Sequence, residues 1–159
     1  MTIHASSGAK LYICSTVSLD VDDQSGYEAL SWTEVGEIEN IAEFGDSAQQ
    51  GSFTSLSDNR VRKFKGAFDA GDVNISLAHD PLDAGQVILK TAAASKFRYP
   101  IKVTLEDSKD ANDTDSVFYF QALVMSNRLN IGGANDVTKR TVPLAIDTAI
   151  VEVASTSVP

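Results

Sequence analysis

The sequence predicts a mainly β fold with one α-helix, arranged as a β-sandwich or half-open barrel with the helix packed on one side. Three observations carry this. Apolar and polar residues alternate with period two in several short segments, the mark of strands with one buried face. Short connections rich in Gly, Asp and Ser separate those segments. Only the stretch after His79 carries a helix start, a helical body and a helix end.

Leu11 to Val17 reads as the first strand, and Asp20 to Tyr27 as a polar turn region. Trp32 to Glu37 and Glu39 to Phe44 read as one or two strands around Gly36. Gly45 to Asn59 is a long polar break in which Phe53 and Leu56 are the only large apolar residues. Compact domains seldom carry a structureless loop of this length without using it. Val61, Phe64 and Phe68 mark a strand that resumes after the break. Asp69-Ala70-Gly71-Asp72 is turn chemistry, and Val73, Ile75 and Leu77 then alternate with Asn74, Ser76 and Ala78.

Asp80 is expected to cap the helix by accepting from free N–H groups of its first turn. Pro81 suits the first helical position, where no donor is needed. Asp83 adds negative charge that the helix dipole favours, and the helix is expected to end near Ser95-Lys96. Gly85 inside it costs about 1 kcal/mol relative to Ala, which a close packing contact would explain. Ile101, Val103 and Leu105 form a half-buried strand, followed by an acidic loop from Glu106 to Ser116. Val117 to Met125 is apolar on both alternating sets, so it is covered on both faces, by the helix or by a neighbouring subunit. Gly132-Gly133 turns the chain into a return strand from Val137 to Ile146, and Ile150 to Val153 is a short last strand. The chain reads as one domain over residues 1–159, with flexible ends at about 1–9 and 154–159.

At 159 residues the chain can bury a core without staples. Its single cysteine, Cys14, excludes an internal disulfide and reads as a small core residue. No apolar stretch approaches the ~18 residues of a membrane span, and no basic-then-apolar leader is present. These features lead to the expectation of a protein made in the cytoplasm that does not bind membranes. Net charge is −9, unevenly spread. Leu11 to Asn59 holds ten acidic residues and no Lys or Arg, whereas Arg60 to Lys65 holds four bases in six positions. This reads as an acidic solvated surface beside a basic strand or, more sharply, as two complementary patches on one subunit, which suit a head-to-tail contact between copies that closes into rings or runs on as filaments.

No constellation points to catalysis. His79-Asp80 are adjacent, so along a strand they would face opposite ways, and Asp80 is better used as a cap. Asp20 to Gly26 begins like a calcium loop but has Ser25 and Ser31 where Gly and Glu are required. Asp107, Asp110, Asp113 and Asp115 read as a solvated acidic loop. No phosphate-binding glycine pattern is present, and a chain at −9 lacks the electrostatics of an ordinary DNA binder. No catalytic, cofactor-binding or metal residue is assigned, and the chain is not expected to be an enzyme.

The order of features resembles the major tail tube proteins of lambda-type long-tailed (siphovirus) bacteriophages. The matching residues are Trp32, the long polar loop, Gly66, Gly71-Asp72, the strand ending at His79, Asp80-Pro81, Gly85-Gln86 and Leu89. Ile101-Lys102-Val103, Val117-Phe118, Gly132 and Lys139-Arg140-Thr141-Val142 complete the series, which covers residues 10–153. The resemblance implies a fold of the tail tube type, six copies to a ring, and rings stacked into a tube. Sheets would join into an inner barrel through which DNA is ejected, with the helices outside. Partners implied are other copies of itself, a tape measure protein, a tail terminator and distal tail proteins. Its implied place is the virion tail, without the C-terminal immunoglobulin-like domain of some relatives. The family's long bridging loop maps to Gly45–Asn59. Asp46, Gln49, Phe53, Leu56, Asp58, Arg60, Arg62, Lys63 and Lys65 are therefore expected at the subunit or ring interface. Deleting Ser47 to Ser57 is expected to leave a folded monomer or ring that no longer elongates. Glu34, Glu37, Glu39 and Glu43 are expected to face the lumen, where an acidic wall keeps DNA from sticking. The rival readings are the tube protein of a contractile tail or type VI secretion system, which shares the fold, and a monomeric β-sandwich binding or adhesion module.

Overall fold

The computed structural model describes residues 3–17 and 20–156. The first half comprises β1 (Lys10–Ile13), α1 (Gln24–Glu28), β2 (Thr33–Val35), β3 (Ile38–Ile41), β4 (Ser47–Thr54), β5 (Val61–Asp69) and β6 (Asp72–Ala78). The second half comprises α2 (Ala84–Ala94), β7 (Tyr99–Thr104), β8 (Val117–Val124), β9 (Arg128–Asn130), β10 (Lys139–Ile146) and β11 (Val151–Val153). Residues 1–2 and 157–159 of the expected flexible ends lie outside the described residues. Within the described C-terminal end, Thr156 forms a β-bridge with Thr114.

Nine strands form one antiparallel sheet in the order β2-β1-β7-β8-β10-β6-β3, with β11 paired to β8 and β9 to β10. The two end strands, β2 and β3, are joined in sequence by Gly36 and Glu37 alone. The sheet must therefore curl until its ends nearly meet, which makes it a half-open barrel, as the sequence predicts. A polar staple holds the meeting point. Gln86 donates from Nε2 to the carbonyls of Gly36 (3.2 Å) and Ala78 (2.9 Å), and its Oε1 accepts from the Asp80 N–H at 3.0 Å.

The strand registers put Leu11, Ile13, Val35, Val73, Ile75, Leu77, Ile101, Phe120, Val142 and Leu144 on one face, all buried with Leu89 and Ala92 of α2. Cys14 is buried and unpaired, as expected of a small core residue. Gly85 is where helix meets strand. A Cβ there would clash with the Glu34 carbonyl and the Val35 Cα, which is the close contact its presence suggested.

The sequence reading differs from the structure in several places: the first strand ends at Ile13, β9 is not among the expected strands, and three further differences bear on the site. The helix does not start at Asp80-Pro81. Its N-cap is Asp83, whose side chain accepts from Gln86 N–H at 2.9 Å and Gly36 N–H at 3.1 Å. Asp80 caps the preceding turn instead, accepting from Leu82 N–H at 3.0 Å, and Pro81 lies inside that turn. A second, five-residue helix, α1, occupies the region read as a turn, with Asp23 as its N-cap. It covers the outer face of β8: Tyr27 stacks on Tyr119 at 5.3 Å and Gln121 donates to the Val21 carbonyl. The double coverage of β8 is thus supplied by α2 on one side and α1 on the other. Finally, most of the long polar break is not a loop. Ser47 to Thr54 is β4, paired along its length with β5.

Candidate assembly interface

Among the described residues β4 and β5 pair only with each other and form a separate two-stranded sheet. They continue the β3–β6 ladder outward. Ile41 pairs with Ile75 in the body and Ser47 with Asp69 at the start of the arm. Gly45 and Gly71 lie at this junction, with φ of 155° and 72°. A Cβ on either glycine would touch nothing within 4 Å, so the backbone conformation, not crowding, requires glycine at Gly71. All nine residues of β5 are exposed; at ~3.4 Å per residue the arm extends about 30 Å.

The arm is apolar without being buried. Phe53, Phe64 and Phe68 are 63%, 59% and 70% exposed, and Leu56 at its turn is fully exposed. Phe64 lies over Gly51, where a Cβ would run into its ring. The register puts Phe53, Arg62 and Phe64 on one face, with Lys63 and Lys65 opposite Ser52 and Gln50 on the other. Gln49 sits at the bulge beside Gly66, and Asp46 is exposed just before β4.

Asp58 organises the turn. It accepts from the Arg60 N–H at 3.2 Å and pairs with Arg62 Nη2 at 2.9 Å. The Arg62 guanidinium, then the Arg60 N–H, hold its carboxyl below the usual carboxylate range. Arg62 is thus committed within the arm. Arg60, Lys63 and Lys65 have no ion-pair partner among the described residues. All nine residues expected at an interface therefore lie on this one arm or at its root. Phe64 and Phe68 belong with them; both stood in the strand pattern, where an apolar residue normally signals core.

The expected lumen glutamates lie along the seam where the sheet ends meet. Glu34 is on β2, Glu37 in the link at φ 59°, Glu39 on β3 and Glu43 just beyond it, all exposed. Glu39 is paired with Lys139 at 2.8 Å. Glu39, with Ser6 and Asn40, also lines a groove of about 390 Å³ at the seam, whose apolar wall is Ile38, Ile41, Phe44, Val103, Leu105 and Phe118. On the opposite side, Lys102 rests over the Tyr12 ring at 4.6 Å and the Trp32 ring at 5.8 Å, and burial lowers its pKa. His79 Nδ1 accepts from Arg140 Nε at 2.9 Å and so acts as a structural acceptor. Among the described residues no group of His, Cys, Asp and Glu is arranged to hold a metal ion. No helix is long and apolar enough to cross a membrane.

Comparison with known proteins agrees with this architecture. Solved structures similar to the chain include a component of the anti-feeding prophage baseplate, at TM-score 0.69 and 9% identity over 97% of each chain. A chain of the sheath/tube terminator of the extracellular contractile injection system PVC matches at TM-score 0.69 and 10% identity, over 97% of this chain and 99% of that one. The SPP1 tail tube matches at TM-score 0.63 and 13% identity, over 92% of this chain and 76% of that one. At these identities the likeness is one of fold. No curated protein matches the sequence. The sequence profile of the phage tail tube proteins (TTP) matches residues 23–155, and the chain belongs to that family.

Proposed function

We propose that this chain is the structural subunit of the tail tube of a lambda-type long-tailed phage. Six copies form a ring, rings stack, and DNA passes through the lumen on its way into the host. The whole 159-residue chain serves as one tube unit. It is made in the host cytoplasm and ends in the virion tail, meeting a tail terminator, distal tail proteins and a tape measure protein. Its role is structural, not catalytic.

One observation carries the reading. An isolated two-stranded hairpin is at best marginally stable in water. Here a long one stands off the body with three phenylalanines and a leucine exposed. Such a surface belongs against another molecule. Within a family that builds tubes, that molecule is another copy. The charge of −9 suits a conduit that DNA must leave freely, since a basic wall would hold phosphates. The contractile reading draws on one of the similar structures, which comes from an extracellular contractile injection system. A sheath around the native tube would favour it.

The test follows the arm as a unit. The expected deletion of Ser47 to Ser57 removes all of β4 and leaves β5 unpaired, so Ser47–Asp69 is replaced by two glycines instead. The body, whose core residues lie elsewhere, stays folded by circular dichroism and forms no tubes under the electron microscope. Tubes of normal length from this variant would refute the arm's role.

A further inference from the structure

A small pocket between the end of β6, the start of α2 and β10 gathers donors that neither the core nor the arm uses. His79, Asp80, Lys90 and Arg140 supply its charged and titratable lining. Arg140 is fixed at two atoms: Nε donates to His79 Nδ1 and Nη1 to Asn127 Oδ1, both at 2.9 Å. Its Nη2 has no partner among the described residues, and neither Lys90 nor Arg140 belongs to an ion pair there. Because a guanidinium can only donate, His79 Nδ1 is unprotonated and the neutral ring carries its proton on Nε2. Three elements thus contribute a donor each. Asp80 is the exception, an anion whose Oδ1 accepts from the Leu82 N–H and whose Oδ2 has no partner among the described residues. Gln86 also lines the pocket, but its amide is spent on Asp80, Gly36 and Ala78. The start of α2 adds nothing, since Asp83 already caps it.

We infer that this pocket binds one inorganic phosphate ion. Its volume is about 170 Å³, below the ~300 Å³ at which pockets for drug-sized ligands begin, so it suits a single ion and not a nucleotide. With His79 neutral, Lys90 and Arg140 outweigh Asp80 by one positive charge. The chain as a whole, at −9, repels a polyanion such as DNA, but within a Debye length of ~8 Å a small ion responds to the local lining. Asp80 selects the ion. At neutral pH phosphate offers acceptor oxygens to His79, Lys90 and Arg140 and keeps at least one O–H, which donates to the Asp80 carboxylate in a charge-assisted bond. Sulfate has the same shape but no proton, so it sets an anion against an anion there. The bound ion ties α2 to β6 and β10. It does so at the Ala78–Lys139 end of the β6–β10 ladder, opposite the Asp72–Ala145 end from which the arm departs, so binding is separate from the arm's role.

The histidines supply the test. The chain has two, and His4 lies outside the pocket, so it serves as an internal control. Histidine ring signals are followed by NMR while phosphate or sulfate is added at constant pH and ionic strength. Solution spectra serve for free chains and solid-state spectra for tubes, so the outcome does not depend on assembly. The expected result is a saturating shift of the His79 signals with phosphate, with His4 unmoved and sulfate bound roughly tenfold or more weakly. Lys90 is exposed, and Lys90→Gln should weaken phosphate binding about two- to fivefold. Asp80→Asn keeps an oxygen for the Leu82 N–H and replaces the repelling charge with a donor, so it should bring sulfate close to phosphate in affinity. His79 signals that stay still under phosphate, or that move in parallel with those of His4, overturn the site. Equal binding of the two anions by the wild type overturns it as a phosphate site selected by Asp80.

Discussion

At the residue scale, a few polar atoms fix the geometry on which the fold depends. Asp83 serves two backbone donors at once, the first turn of α2 and Gly36 at the sheet junction. Asp83→Ala is expected to cost about 1–2 kcal/mol, read as a lower denaturation midpoint without a change of slope. Gly85→Ala gains helix propensity but drives a methyl into the Glu34 carbonyl, so thermal stability is expected to fall, not rise. Tyr27 points the other way. Its hydroxyl is buried without a hydrogen-bond partner among the described residues, so Tyr27→Phe is expected to leave stability unchanged or raise it by about 1 kcal/mol. Asp107 gives the pH dependence. Its carboxylate accepts from the Ser116 hydroxyl at 2.6 Å and from the Ser116 N–H at 2.8 Å, and these bonds, the hydroxyl first, lower its pKa. The sign is that of a depressed carboxylate: its contribution is present above the unfolded value near pH 4 and is lost as pH falls through the lower folded value. Acid titration of Asp107→Asn should therefore show a shallower loss of stability below pH ~4 than wild type. The cap at Asp80 was misread by three residues because Asp80 and Asp83 are both caps, one of a turn and one of a helix. Composition alone does not separate them.

At the element scale, legibility followed apolar patterning. β6 alternates buried with less buried residues and β7 does so from Ile101 to Thr104, and their patterns name them in the sequence. β4 has no buried residue, so no period-two signal marks it, and its Gly, Ser and Gln content reads as loop. What makes it a strand is pairing with β5, a long-range relation invisible in a local window. α1 was missed for a different reason: five residues are too few to display a helical period, and its anchor is the Tyr27–Tyr119 stack. The glycines at the arm's root make a further prediction. Gly71 takes φ 72°, so Gly71→Ala should cost about 1–2 kcal/mol locally and reorient the arm while the nine-stranded sheet keeps its circular dichroism. Reduced assembly with an unchanged core is the expected readout. Unimpaired assembly would show that the junction geometry does not matter.

At the scale of the whole molecule, the body buries its core in a half-open barrel covered by α1 and α2, whereas the arm leaves Phe53, Leu56, Phe64 and Phe68 exposed. The charge asymmetry read from the sequence falls on the segment from Asp46 to Lys65, which the structure makes into the arm. The groove could not be read, because it arises from Ile41, Phe44, Val103 and Phe118, which come together only when the sheet curls. In the tube proposed above, assembly should weaken as salt rises, since the arm carries the exposed bases Arg60, Lys63 and Lys65 on a chain of net charge −9. The most direct test images purified wild-type protein by electron microscopy across rising concentration at low salt. Six-fold rings that stack into open-ended tubes are the result expected; monodisperse single particles at every attainable concentration would contradict the account.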